Sequence, residues 1–324
     1  MPKIPNGRSS LLGLVVALAL SPALIFLGTF PSAGQRDSQR VRTVSIPVSI
    51  YTKQELRQGQ IDEILKADRL TVRENREEQT ILSIRSISDA PLSLAIVIQD
   101  GLTPSANLQL GELRKFIREL PDGTRVMIAY LRANSPEIRQ KFTTDRERAS
   151  RMLRIVSSSP SAAPSNPYDG LVDIYKRFDA LPAGRRAVLL VADGLDMSNG
   201  LRDASATQSI YLDRAIADAQ RRNIAIFSFY NPTLITEAAG STASLVGQGS
   251  LLRLSDETGG RAFFQGMAAP ISFEPFFKEL RVLLTRQFLL SYLSTNMKKG
   301  YYKVEVTSSN PEVKIEHPRG YYYR

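Results

Sequence analysis

Two aspartates stand directly after two apolar stretches of the sequence, and each is followed by glycine. Asp100 directly follows the run Leu92–Gln99, and Asp193 directly follows the run Ala187–Ala192. A continuous apolar run of this length is typical of a strand buried on both faces. In a doubly wound sheet, ligands bind beyond the carboxyl ends of such strands, and carboxylates there are hard oxygen ligands suited to Mg²⁺. Asp-Gly is equally good turn chemistry, so these residues alone leave a cation site and a plain turn as alternatives.

The composition excludes several other kinds of site. The 324 residues include no cysteine and a single histidine, His317. Disulfides, thiolate zinc sites and two-imidazole metal sites are therefore excluded, and a Ser-His-Asp triad is not expected. The net charge is +10, but the basic residues are scattered rather than arranged in a stripe with interleaved aromatic residues. We therefore expect no nucleic-acid partner.

The N-terminal segment, residues 1–34, has the features of an export signal. Lys3 and Arg8 precede an uncharged stretch over 9–35, and small residues follow its apolar part. This arrangement is typical of a secretory signal peptide. The apolar run of 11–30 is also long enough to cross a bilayer, so a cleaved signal and an uncleaved N-terminal membrane anchor are both open. In either case we expect the rest of the chain to be exported, to the periplasm, the cell envelope or the medium.

Strand-like patterns lie at both ends of the remaining chain, and an α/β alternation lies between them. Residues 41–89 and 286–324 contain short β-rich segments, whereas 90–285 alternates buried strands with amphipathic helices. The expected fold class is α/β, with a doubly wound, mostly parallel, Rossmann-like sheet over 90–285. We expect this domain to be inserted in a small β-rich domain formed from both chain ends, because neither end alone has enough strands to bury a face.

Five segments of the middle region carry a resemblance to a known family. They are LSLAIVIQDGLTPS, PDGTRVMIAYL, KFTTDRERASRML, YDGLVDIYKRF and AVLLVADGLDMSNG. In the order of these elements, residues 90–285 resemble the von Willebrand factor type A domain. The β-rich flanks and the Gly320-Tyr321 ending resemble, more narrowly, a bacterial exported subfamily of VWFA-related domain proteins. The resemblance implies the doubly wound fold and a role in protein binding.

Type A domains often hold Mg²⁺ at a metal-ion-dependent adhesion site, and the resemblance implies which residues correspond to it. Asp100 matches the first residue of the family motif Asp-x-Ser-x-Ser, Asp193 matches the last aspartate, and Asp169 falls where the family has threonine. Leu102 and Pro104 replace the two serines and cannot ligate. The implied metal residues are thus Asp100, Asp169 and Asp193, in a degenerate site with weak Mg²⁺ binding at most. Because three acids would repel one another, we expect Asp100→Ala to change stability little or to raise it.

The sequence leaves several functions open. The leading prediction is an exported, non-enzymatic module that binds a protein partner of unknown identity. The alternatives are an adhesion-type receptor with an altered but working Mg²⁺ site and, with least support, a metal-dependent hydrolase that uses Asp100 and Asp193. A cluster of tyrosines near the C-terminus offers a sugar-binding face, although such residues more often fill a sheet face or edge. These tyrosines are Tyr301, Tyr302, Tyr321, Tyr322 and Tyr323.

Overall fold

The chain folds around two β-sheets. A computed structural model describes residues 40–58, 70–86, 90–158, 166–200 and 204–323, and Arg40–Arg324 belongs to one compact unit. The expected export signal, residues 1–34, lies outside the described residues. Among the helices within the described ranges, none combines the length and the apolar character that a membrane crossing requires.

The strands divide between a seven-stranded antiparallel sheet and a six-stranded, mostly parallel sheet. The antiparallel sheet contains β1 (Arg42–Thr52), β2 (Leu70–Glu74), β3 (Glu77–Arg85), β10 (Gln287–Ser294), β11 (Gly300–Ser308), β12 (Val313–Glu316) and β13 (Gly320–Tyr323). The doubly wound sheet contains β4 (Leu92–Gln99), β5 (Arg125–Arg132), β6 (Ser135–Thr143), β7 (Arg185–Ala192), β8 (Ile224–Tyr230) and β9 (Ala262–Phe263).

The helices, apart from one, connect or flank the strands of the doubly wound sheet. They are α1 (Lys53–Gln58), α2 (Leu110–Arg118), α3 (Arg146–Arg151), α4 (Tyr168–Tyr175), α5 (Ile210–Arg221), α6 (Leu234–Ala239), α7 (Ser241–Glu257) and α8 (Glu274–Thr285). Short 3₁₀ turns cover Pro104–Gln109 and Lys176–Ala180. The exception is α1, which follows β1 and begins with a capping box, since Thr52 and Glu55 bond each other's backbone amides.

The doubly wound sheet reverses its strand order between β4 and β7. Its order is β6-β5-β4-β7-β8-β9, so the chain first builds outward through β5 and β6 and then crosses to the other side of β4. All neighbours are parallel except β6, which pairs with β5 in antiparallel register. The edge beyond the carboxyl ends of β4 and β7 is therefore the topological switch point, where doubly wound folds bind their ligands.

Alternate residues of the buried strands pack into two layers of core. In β4, Leu94 and Ile96 face a layer formed with α2 and α8, whereas Ala95 and Val97 face a layer formed with α4, α5 and α7. Burial on both faces explains why β4, β7 and β8 are almost continuously apolar in sequence. The predicted doubly wound, mostly parallel sheet is confirmed by the topology.

The antiparallel sheet takes its strands from both ends of the described chain. Residues 42–85 supply three strands and residues 287–323 supply four, with β10 paired to both β1 and β3. The pairing agrees with the expectation that the two ends combine to bury a face. Both sheets belong to the same compact unit, and the insertion of one separate domain into another stays a prediction.

The structure contains elements that the sequence patterns did not predict. One is β6, over Ser135–Thr143, which has no apolar run because it is an edge strand whose residues are half-buried or exposed. The sequence pattern of residues 145–156 predicts one continuous helix, whereas α3 ends at Arg151 and residues 153–158 continue without regular structure. Both differences bear on the site, because β6 and the segment after α3 supply charged side chains to it.

Candidate functional site at the carboxyl edge

Asp100 and Asp193 lie beside one another at the switch point. Each directly follows its strand, and the strands β4 and β7 are paired in parallel from Leu92 to Ile98. Both aspartates line a cavity of about 450 Å³ at this edge, together with Glu137, Arg154 and Asn166. The sequence thus correctly placed these two aspartates at one edge of the sheet.

Asp100 forms an ion pair with an arginine. The guanidinium of Arg154 donates to both carboxylate oxygens, with Nη1 2.9 Å from Oδ1 and Nη2 2.8 Å from Oδ2. Two parallel charge-assisted hydrogen bonds are the strongest form of this contact. Only 12% of the Asp100 side chain and 24% of the Arg154 side chain are exposed. The expectation of mutually repelling acids is wrong for Asp100, because a cation from the chain itself neutralises it.

Arg154 is held by Tyr130, the sixth residue of β5. The Tyr130 hydroxyl donates to the carbonyl of Arg154 at 2.9 Å and accepts from its amide at 2.8 Å. The guanidinium carbon lies 4.0 Å from the centroid of the Tyr130 ring, a cation–π contact. Nη2 also donates to Glu137 Oε2 at 3.0 Å. The hydrogen bond from Arg154 lowers the pKa of Glu137, and the hydrogen bond to Asp100 raises the pKa of Arg154.

Within the described residues, Asp193 accepts hydrogen bonds from hydroxyl and amide groups and forms no ion pair. Its Oδ2 accepts hydrogen bonds from Thr233 Oγ1 at 2.8 Å and Thr236 Oγ1 at 2.7 Å. Its Oδ1 accepts from the amide of Leu195 at 3.1 Å. The residue is 3% exposed, and burial raises its pKa despite these hydrogen bonds. Asp193 therefore fastens α6, which Thr233 caps, to the end of β7.

Two glycines allow α7 to approach the Asp193 loop closely. A Cβ at Gly247 would lie 2.1 Å from the carbonyl oxygen of Asp193, and a Cβ at Gly194 would lie 2.4 Å from the carbonyl oxygen of Gly247. Gly194 also has a φ of +71°, which favours glycine. The position of Asp193 therefore depends on direct backbone packing between the loop and the helix.

Asp169 does not join the other two aspartates in lining the cavity. It lies in the first turn of α4, where its Oδ2 is 3.4 Å from Nδ2 of Asn166. Asn166 itself lines the cavity, accepts hydrogen bonds from the amides of Tyr168 and Asp169, and donates to Ser198 Oγ. The structure thus brings Asn166, rather than Asp169, to the edge.

The residues at this edge do not fit the metal-ion-dependent adhesion site of type A domains. Within the described part of the chain, no three His, Cys, Asp or Glu side chains are grouped so that they could hold a metal ion. Leu102 is fully buried and forms a backbone bridge with Thr233. The neighbouring hydroxyls of Thr103 and Ser105 bond each other at 2.8 Å. Because Asp100 is already paired with Arg154, the expected metal ligands are committed to protein contacts.

Exposed apolar side chains lie on segments that meet at this edge. We define the apolar rim as Leu108, Ile155, Leu234 and Ile271, which are 82%, 73%, 37% and 93% exposed. Hydrogen bonds join their segments at the edge: Asn107 bonds the backbone of Val156, Leu234 donates to Gly101, and Gln109 donates to Pro270. Apolar side chains grouped in this way are typical of surfaces that contact other proteins.

Most of the residues that complete the site could not be identified from the sequence. Arg154 is one of 42 Lys and Arg residues and lies in a segment expected to be helical, and Glu137 lies in the unpredicted strand β6. Thr233 and Thr236 have the spacing of a helix N-cap and do form one. Nothing in that spacing indicates that both hydroxyls also bond Asp193. Only Tyr130 could have been singled out from the sequence as a site residue, because it carries a polar hydroxyl in an otherwise apolar strand.

The C-terminal tyrosines lie in the antiparallel sheet. Tyr302 and Tyr321 are buried in its core, and Tyr323 contacts the guanidinium of Arg42. Tyr301 and Tyr322 are 42% and 44% exposed, with ring centroids 5.0 Å apart. Tyr302 and Tyr321 thus fill a face of the antiparallel sheet.

No protein-family model matches the sequence, and no curated protein does. Matching solved structures include BatB from Bacteroides thetaiotaomicron, with 16% identity, a TM-score of 0.34, and 43% of this chain aligned to 66% of that chain. They also include the SpRpn10 VWA domain, with 9% identity, a TM-score of 0.36, and 60% of this chain aligned to 94% of that one.

A third match is proximal thread matrix protein 1 from the mussel byssus, whose structure has a zinc-occupied MIDAS motif. It shares 13% identity at a TM-score of 0.40, over 63% of this chain and 48% of that chain. The structural neighbours of this chain thus include von Willebrand factor type A domain proteins. The chain spans just under two thirds of the length of BatB and about half the length of the byssus protein.

Proposed function

We propose that this chain is an exported, non-enzymatic type A domain protein that binds a protein partner through the carboxyl edge of its doubly wound sheet, without a metal ion. The fold supports this proposal through the strand order, which places Asp100 and Asp193 at the switch point. The sequence supports it through the five segments that resemble the type A domain. The protein partner, the export and the absence of catalysis are parts of this proposal.

The observation that carries the proposal is the apolar rim, which lies at the same edge as the ion pair between Asp100 and Arg154. Leu108, Ile155 and Ile271 are largely exposed, whereas Asp100 and Arg154 neutralise each other beside them. Burying these apolar side chains against a partner is favourable, and paired charges cost less to cover than free ones. The edge is therefore better suited to covering by a protein surface than to holding a reactive group.

A Mg²⁺-dependent receptor needs a metal ion with an open coordination position at this edge. In this chain the carboxylate of Asp100 is engaged by Arg154 through both oxygens, and Leu102 stands where the family motif has a serine. The geometry therefore favours a metal-independent contact over the adhesion-type alternative.

The partner surface is tested by placing a photo-crosslinking amino acid at Ile155 or Leu108 in cells of the natural host. We expect a discrete crosslinked product from both rim positions, and its loss when Leu234→Asp is added. A crosslinker at Leu82, which is 49% exposed in the antiparallel sheet, is the matched control and should not give that product. Products that form equally from Leu82, or that survive Leu234→Asp, would contradict the proposed surface.

Independence from metal is tested on the same crosslinked product. We expect its yield to be unchanged when divalent cations are removed with a chelator. Loss of the product on chelation, and its return with Mg²⁺, would support the adhesion-type receptor instead.

Export is tested with a reporter that is active only outside the cytoplasm, fused after residue 60. We expect activity from the fusion and none when residues 1–34 are deleted, because Lys3, Arg8 and the uncharged stretch that follows them form the signal. A fusion that is active only with a cytoplasmic reporter would refute export while leaving the partner surface untouched.

A further inference from the structure

We propose that one end of the antiparallel sheet binds the surface of an anionic phospholipid bilayer. This end combines the start of β1, the turn between β2 and β3, and the turn between β10 and β11. We define the basic end as Arg40, Val41, Arg76, Met297, Lys298 and Lys299. The proposal rests on the export in the proposed function, because the bilayer is the one that the expected signal enters. It does not depend on the apolar rim or on a protein partner there.

The pairing of the strands brings these segments side by side. Arg42, the first residue of β1, pairs with Ser294, the last residue of β10, and its Nε donates to the carbonyl of Asn296 at 2.7 Å. The side-chain amide of Asn296 in turn donates to Glu74, the last residue of β2, at 2.7 Å. The turn between β10 and β11 is therefore fixed to both the start of β1 and the end of β2.

The basic end carries an excess of positive charge. Its four cations are exposed, and within the described residues none of them forms an ion pair: Arg40, Arg76, Lys298 and Lys299. Glu74 is buried among hydroxyl donors, and Glu78 lies opposite Arg73 in the pairing of β2 with β3. Glu77 is exposed and offsets one charge. Each Lys or Arg near an anionic bilayer strengthens binding several-fold, so the remaining excess favours such a surface.

Exposed apolar side chains accompany the cations. Val41 directly follows Arg40, and Met297 directly precedes Lys298. The two apolar residues are 45% and 43% exposed. Binding at a bilayer interface grows with the apolar area that is buried and with attraction to anionic lipids, whereas a soluble polyanion would engage the cations alone. The combination therefore favours a lipid surface over a soluble polyanion.

The sequence before β1 keeps a bilayer near this end. Nine residues, 31–39, separate the apolar run of 11–30 from Arg40, and even a fully extended chain of this length reaches about 35 Å at most. When the apolar run spans the bilayer, the basic end is confined to within that distance of the surface. Such tethering raises the effective concentration of the basic end at the lipid headgroups. When the signal is cleaved, the basic end must bind without this help.

The experiment measures cosedimentation with lipid vesicles of residues 35–324, the expected product of signal cleavage, which contains the compact unit. We expect binding to phosphatidylcholine vesicles that contain about 30% phosphatidylglycerol, and none to pure phosphatidylcholine vesicles. The double variant Lys298→Gln/Lys299→Gln should bind about tenfold more weakly or less. The matched control Lys141→Gln/Arg148→Gln removes two exposed cations from β6 and α3, and it should bind as the wild type does.

Three results would overturn the proposal. The first is a wild type that does not prefer the vesicles with phosphatidylglycerol, and its retention by heparin would then indicate a soluble polyanion instead. The second is a control variant weakened as strongly as Lys298→Gln/Lys299→Gln, since the attraction would then follow net charge. The third is equal weakening by Leu234→Asp, which would assign the lipid contact to the carboxyl edge. The reporter and crosslinking tests can fail without changing vesicle binding, so failure of the proposed function is distinguishable from failure of this proposal.

Discussion

At the scale of single residues, the two aspartates of the edge are satisfied by different chemistry. Asp100 is paired with the guanidinium of Arg154, whereas Asp193 is surrounded by the hydroxyls of Thr233 and Thr236 and by a backbone amide. A cation compensates a buried carboxylate more fully than neutral hydroxyls do. The two carboxylates should therefore respond differently to pH and to substitution.

Asp193→Asn tests the effect of burial on this carboxylate. Burial raises the pKa of Asp193 in the folded state, so the folded state holds its proton more tightly than the unfolded state does. The stability that this tighter proton binding contributes is complete below the ordinary carboxyl pKa, and it is lost as pH rises through the raised pKa of Asp193. We expect the free energy of unfolding of Asp193→Asn, relative to wild type, to increase from pH 4 to pH 7, measured by urea denaturation.

Glu137→Gln is the control with the opposite sign. The hydrogen bond from Arg154 lowers the pKa of Glu137, so its contribution is present above the ordinary carboxyl pKa and is lost as pH falls through the lowered value. Relative to wild type, Glu137→Gln should therefore be least stable near neutral pH. A relative stability of Asp193→Asn that falls with rising pH would contradict the assigned effect of burial.

At the scale of elements, the site is positioned by a close contact between α7 and the loop after β7. The carbonyl of Asp193 lies so close to Gly247 that any side chain there would overlap with it. Within the same helix, Gly249 faces only the methyl group of Ala206, at an ordinary contact distance of 3.4 Å. Two glycines of one helix therefore have opposite roles.

Gly247→Ala and Gly249→Ala form a matched pair within α7. We expect Gly247→Ala to lower the free energy of unfolding by about 2 kcal/mol or more, because the backbone of the Asp193 loop must move. Gly249→Ala should raise it by about 0.5–1 kcal/mol, because alanine favours a helix over glycine. Chemical denaturation of both variants measures this. Equal effects of the two substitutions would show that the close approach does not constrain the loop.

At the scale of the whole molecule, buried polar residues tie the two sheets together. Arg185, the first residue of β7, is 1% exposed and donates hydrogen bonds to the carbonyls of Ala90, Leu284 and Gln287. These carbonyls belong to the entry to β4, the last turn of α8 and the start of β10. Burial lowers the pKa of Arg185 to about 10, so it stays charged at neutral pH. Glu55 and Arg286 form a second buried link between α1 and the end of α8.

Arg185→Met tests the link made by three carbonyls. We expect it to lower the free energy of unfolding by at least about 2 kcal/mol, because three acceptors lose a charged donor within the protein. Arg186→Met is the control on the next residue of β7, where the guanidinium bonds one carbonyl, that of Arg222, and should cost about 1 kcal/mol or less. Thermal and urea unfolding measure the loss of unfolding free energy in both variants. A loss in Arg185→Met that is no greater than the loss in Arg186→Met would contradict this role.

Tyr321→Phe tests how the last strand is fastened to the first part of the chain. The Tyr321 hydroxyl donates to the buried carboxylate of Glu74 at 2.7 Å, beside the hydroxyl of Tyr292 at 2.8 Å. We expect the variant to lose about 1–2 kcal/mol of unfolding free energy. Tyr322→Phe, at the exposed neighbour, should change it by less than about 0.5 kcal/mol. If both variants are equally stable in denaturant titrations, the contact with Glu74 does not fasten β13.

The sequence by itself determined the doubly wound fold and the position of two aspartates at its edge. Strands buried on both faces must be continuously apolar, so β4, β7 and β8 were visible as runs. Because the carboxyl ends of parallel strands share one edge, Asp100 and Asp193 could be placed together. These inferences need only the periodicity of burial along the chain and the rules of parallel sheets.

Only the tertiary structure decided which side chains contact those aspartates. Arg154 reaches Asp100 across 54 positions of sequence, and Glu137 contacts Arg154 from an edge strand that lacks an apolar pattern. Asp169 turns to Asn166 instead, because the first turn of α4 sets its direction. Burial leaves a periodic trace in a sequence, whereas the pairing of one charged side chain with another leaves none. The fold was therefore predictable from residue types, and the cation that neutralises its edge was not.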